Sequence, residues 1–211
     1  TITGYHGLYA TTRDSRYQVE LNLAGNLAFV GKGDNGQQVY LGYAYLPYTE
    51  ENANLYSNGG FKAVDEAGKA YIYGTFAAAI DKDADKTVEL LHDYIGTDSI
   101  ALNGGEGILD LQKHTYTSDT EQVIYPSGEN TNLTVKNGNV INIGTAVTGD
   151  GVNGDSGVTI MSNNVILTLE DVNLTAQNDY GIVTYGMVSD ITINLVNSSV
   201  TTNGMGIYFP S

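Results

Sequence analysis

Leu167-Thr168-Leu169-Glu170-Asp171-Val172-Asn173-Leu174 is the stretch whose reading decides the fold. Aliphatic residues stand at its positions 1, 3 and 8, and an acidic residue stands at position 5. Residues two apart in an extended chain point to the same side. Leu167 and Leu169 therefore share a face. Asp or Asn at the fifth position accepts a tight bend, because its short polar side chain bonds locally and tolerates left-handed backbone. A second short strand then begins, and Leu174 points inward again. A chain that bends this way repeatedly builds the coils of a solenoid, not a hairpin.

The template recurs on both sides. Leu133-Thr134-Val135-Lys136-Asn137-Gly138-Asn139-Val140 precedes it and Ile193-Asn194-Leu195-Val196-Asn197-Ser198-Ser199-Val200 follows. The second and third copies are 26 residues apart, the first and second 34. The excess lies beside Gly149-Asp150-Gly151-Val152-Asn153-Gly154-Asp155-Ser156, which reads as a loop inserted on one turn. A second element repeats in phase: Gly157-Val158-Thr159-Ile160, Gly181-Ile182-Val183-Thr184 and Gly206-Ile207-Tyr208-Phe209, at spacings of 24 and 25 residues. Regularly spaced strands also suit an antiparallel sandwich. The matched order of two strand types is better explained by stacked coils of about 25 residues. Leu133, Val135, Leu167, Leu169, Ile193 and Leu195 are then expected to form one inner ladder.

The run Asn197-Ser198-Ser199-Val200-Thr201-Thr202-Asn203-Gly204-Met205-Gly206-Ile207-Tyr208 is similar to the rungs of the pectin-lyase-like right-handed β-helix in bacterial autotransporter passenger domains. The resemblance covers about residues 100–211. It implies an all-β chain: a right-handed parallel β-helix (solenoid) over 101–211, with an irregular β-rich N-terminal capping region over 1–100. It also implies a surface-displayed, extracellular adhesin or binding segment of a longer protein, anchored in the outer membrane through a region not in this chain. A cell-surface glycan or protein, of host or bacterium, is the implied partner, with self-association a further route. Two other classes stay open: a polysaccharide-acting β-helix enzyme with its site elsewhere, and a structural subunit of an extracellular fibre or surface layer. The chain stops at Phe209-Pro210-Ser211, just after the third Gly-opened strand has begun, and further coils are expected beyond it.

Composition narrows the partners. The 24 acidic and 9 basic residues give a net charge of −15, which repels nucleic acid and anionic membrane surfaces. Charged residues are only 16%, and Gly, Asn, Thr and Tyr take their place. Such a mixture favours short strands and tight turns. With no Cys, neither disulfides nor thiolate metal sites exist. No apolar run approaches the ~20 residues of a membrane helix.

The N-terminal half has a different composition. Residues 1–75 hold ten of the 16 Tyr and both Arg, Arg13 and Arg16. Strands are expected at 18–23, 27–30, 39–46 and 71–73, separated by Gly/Asn turns. One helix is expected within 76–95, with Asp85 capping Lys86 to Ile95 and Gly96 as the stop.

Tyr40, Tyr43, Tyr45 and Tyr48 are the candidate binding residues, with Tyr43 and Tyr45 on one strand face. Tyrosine offers a flat apolar face and a polar edge, which suits sugar stacking or protein contact. Asp81, Asp83 and Asp85 stand at alternate positions, a spacing that calcium loops use. Lys86 and His92 occupy positions where an EF-hand needs Gly and Glu, so only a looser calcium site is in question. The Asp150–Asp155 loop raises the same question. His6, His92 and His114 are too scattered in sequence to suggest a metal site. No catalytic set is assigned: residues 137–211 contain no Lys, Arg or His to neutralise an acidic sugar. No nucleophile elbow or P-loop is present.

Overall fold

The computed structural model describes residues 2–4, 8–9, 29–31, 39–40, 45–56, 58–144, 156–177 and 180–209. Strands dominate these residues, the helices are few and short, and the chain is all-β in class. It divides into two compact units, Thr1–Tyr94 and Ile95–Ser211.

The first unit opens with two parallel pairs. Strand β1 (Ile2–Gly4) lies beside β3 (Phe29–Gly31), and β2 (Leu8–Tyr9) beside β4 (Val39–Tyr40). An antiparallel group follows. Strand β5 (Tyr45–Pro47) pairs with β7 (Ala70–Tyr73), β7 with β6 (Phe61–Val64), and β6 with β8 (Thr87–Leu90). Two short helices sit between them, α1 (Glu50–Ala53) and α2 (Phe76–Lys82).

Both helices start for the same local reason. Thr49 and Thr75 are extended N-caps whose hydroxyls accept from the backbone N–H groups of Asn52 and Ala78. Helix α2 buries Phe76, Ala78, Ala79 and Ile80. The helix expected at 86–95 is therefore displaced. Residues 87–90 form β8, with Val88 and Leu90 fully buried at period two. Thr87 and Val88 are β-branched and favour extended backbone. The run Phe76-Ala77-Ala78-Ala79-Ile80, behind a Thr cap, carries the helical propensity instead.

Parallel pairing runs through the second unit. Strand β9 (Tyr94–Gly96) spans the division between the units. Beyond it the chain alternates between two sheets. One holds β10 (Ile100–Leu102), β13 (Gln122–Pro126), β15 (Ser156–Ile160), β17 (Tyr180–Thr184) and β20 (Met205–Tyr208), each hydrogen-bonded to the next. In the other, β14 (Thr131–Asn142) pairs with both β11 (Gly105–Asp110) and β12 (Thr115–Ser118). Strand β16 (Val165–Ala176) follows β14, and both β18 (Ile191–Val196) and β19 (Ser199–Thr202) follow β16.

The template residues align in this register. Leu133, Leu167 and Ile193 stand opposite one another, as do Val135, Leu169 and Leu195. The first two of each set are fully buried, Ile193 is half-buried and Leu195 is 40% exposed. Among the described residues strand β18 has a partner on one side only.

The fifth-position bend is visible as backbone. Asn137, Asp171 and Asn197 have φ of 60°, 53° and 49°, and they fall in one column of the register. Asn130, Asn164 and Asp190 make a second left-handed column, at 57°, 56° and 59°, just before β14, β16 and β18. Asn and Asp adopt this conformation at less cost than other side chains. The ladder continues through the first bend, so β14 and β16 are each single strands of 12 residues.

The glycine column has a packing reason. A Cβ on Gly157 would meet Leu174, and one on Gly181 would meet Val200 and the Gly206 carbonyl. Leu174 and Val200 are the eighth template residues. The two repeats stay in phase because the small residue of one sheet faces the aliphatic residue of the other. Asn142 and Thr131, both buried, find backbone partners. Asn142 donates to the Ser156 carbonyl at 2.6 Å, and Thr131 donates to the Gly128 carbonyl at 2.6 Å.

Candidate binding surfaces

The four candidate tyrosines do not form one group among the described residues. Tyr40 lies on β4, of which only the backbone is described, and Tyr43 lies outside the described residues. Tyr45 lies on the strand β5. Its register places Tyr73 opposite, and Pro47 opposite Tyr71. The Tyr45 ring meets Tyr71 edge-on, centroids 5.1 Å apart at 79°, and meets Tyr73 at 5.4 Å and 38°. These are favourable aromatic geometries. Tyr71 and Tyr73 are thus the partners that sequence reasoning left out of the cluster. Their spacing of two, on one face of a short strand, was the available signal. Burial, with the neighbouring phenols and the charges of Asp65 and Asp81, pushes the Tyr73 hydroxyl well above its usual value.

Tyr48 belongs to a different set. Its hydroxyl donates to Glu50 Oε1 at 3.1 Å, and Lys62 Nζ stands 4.8 Å from its ring centroid. Lys62 also pairs with Glu89 at 2.8 Å. Desolvation, then the hydrogen bond and charge of Glu50, raise the Tyr48 hydroxyl above its usual value. Tyr45 and Tyr48 are both half-buried, so each offers part of a ring to solvent while the rest holds the sheet together.

The three aspartates are also separated in role. Asp83 is 2% exposed, and its carboxylate accepts from the backbone N–H groups of Val64 (2.6 Å), Asp85 (3.0 Å) and Thr87 (2.8 Å). It is a turn-forming residue, with its oxygens aimed at the backbone. Asp81 is exposed and pairs with Lys82 at 3.1 Å, and Asp85 is exposed. Among the described residues no three His, Asp or Glu side chains gather to hold a metal ion. His92 Nε2 lies 3.0 Å from the Ala53 carbonyl. The Asp150–Asp155 loop and His6 fall outside the described residues.

A surface not anticipated from sequence lies on the second unit. Outward positions of β12, β14, β16 and β19 align as Thr115, Asn139, Asn173 and Ser199, and beside them as Thr117, Ile141, Thr175 and Thr201. None of these eight is charged, in a chain of net charge −15. The first column is tied together. Asn139 donates to Thr115 at 3.4 Å, Asn173 to Asn139 at 3.1 Å, and Ser199 to Asn173 at 2.9 Å. A further such bond joins Asn194 to Thr168 at 3.1 Å. Each bond restrains an amide or hydroxyl that would otherwise rotate in solvent. Its signal in sequence was the polar residue just before the last aliphatic of each template copy, Asn139, Asn173 and Ser199, which becomes a surface only once the register is known.

Comparison with protein-family models, with curated proteins and with solved structures finds no match. Among the described residues no helix is long and apolar enough to cross a membrane.

Proposed function

We propose that the second unit is a right-handed parallel β-helix and that the chain is a surface-displayed, autotransporter-like binding segment. Its outward uncharged columns, Asn, Thr and Ser with Ile141 among them, present the binding face, and its partner is a neutral, hydroxyl-rich cell-surface glycan. The observation that carries this reading is the in-register outward ladder Thr115–Asn139–Asn173–Ser199, bridged by side-chain hydrogen bonds.

Three physical points support it. Crossover connections between parallel strands of one sheet favour the right hand. The columns of left-handed Asn and Asp bend three successive turns at the same places, as a repeating coil requires. An uncharged face of paired donors and acceptors suits a partner recognised by hydrogen bonds, whereas the acidity of the whole chain disfavours polyanions.

The test is binding of the intact chain to immobilised neutral and acidic oligosaccharides and to cell surfaces. Thr175→Arg and Thr201→Arg place long charged side chains on the outward face. Both are expected to weaken binding about tenfold or more, roughly 1.4 kcal/mol, without lowering the melting temperature. Equal binding by these variants, or capture of acidic glycans alone, refutes the assigned face.

A further inference from the structure

We draw no further inference here: the strongest candidate, the groove beside the last strands of the second unit, lined by Thr184, Val188, Asp190, Ile191, Ile193 and Phe209, has nothing in the structure to show what covers it.

Discussion

Asp83 and Tyr56 show how single side chains in the first unit are committed to structure. Removing the Asp83 carboxylate strands three backbone donors, Val64 on β6, Asp85 in the turn and Thr87 at the start of β8. Asp83→Ala is expected to destabilise by roughly 1–3 kcal/mol, while Asp81→Ala, at an exposed pair, stays within about 0.5 kcal/mol. Urea denaturation of both variants checks this, and a chelator should leave both midpoints unchanged. Equal losses at the two positions would contradict the backbone-bonding role of Asp83.

Tyr56 is 4% exposed, and its hydroxyl has no hydrogen-bond partner among the described residues. Burial pushes that hydroxyl well above its ordinary value, and Tyr73 is pushed the same way, first by burial. A group whose folded pKa is raised contributes stability that is complete below its unfolded pKa and is lost as pH rises. The unfolded value is about 10. Stability should therefore hold to about pH 9 and decline above about pH 10. Tyr56→Phe should reduce that alkaline decline and cost nothing at neutral pH, because no hydrogen bond is lost. Melting curves across this range measure both effects. A variant much weaker at neutral pH would show that the hydroxyl is bonded in solution.

At the scale of elements, the glycine column tests the phase between the two sheets. Gly181→Ala drives a methyl group into Val200 and the Gly206 backbone, whereas a Cβ at Gly206 meets nothing within 4 Å. The first substitution should cost about 1–3 kcal/mol by overpacking. The second should change stability by less than about 0.5 kcal/mol. Equal costs in denaturant titration would mean that Gly181 does not face Val200.

What the sequence revealed at this scale was the local part. Leu167 and Leu169 two apart, and Asp171 where the backbone turns left-handed, are properties of a few consecutive residues, so the template could be read directly. Strand β8 reads as helical in sequence because Val88, Leu91 and Ile95 also fall at spacings near a helical turn. The decisive fact, that Leu90 stands opposite Phe61, is nonlocal. The meeting of Tyr45 with Tyr71 and Tyr73 depends on an antiparallel register that no short window contains. The same holds for Asp83, whose strongest partner, the Val64 N–H, lies 19 residues away. The outward columns were hidden for a related reason: each turn contributes only two or three unremarkable Thr or Asn residues, and their alignment exists only across turns.

On the scale of the molecule, the proposed binding face exists only if successive turns of the second unit stack parallel and in register, so that outward residues form columns. The chain has no native Cys, so an introduced pair reports alone. Thr168 and Asn194 are register partners on the outward face, and their side chains hydrogen-bond. Ile193 is one residue away, and neighbouring residues of a strand point to opposite faces. Disulfide formation needs Cα atoms about 4.4–6.8 Å apart and Cβ atoms aimed together. The double variant Thr168→Cys/Asn194→Cys should oxidise to an intramolecular disulfide in the folded monomer. Thr168→Cys/Ile193→Cys should remain reduced under the same conditions. Efficient closure of the second pair, or failure of the first in a folded protein, would contradict the register and with it the proposed binding face.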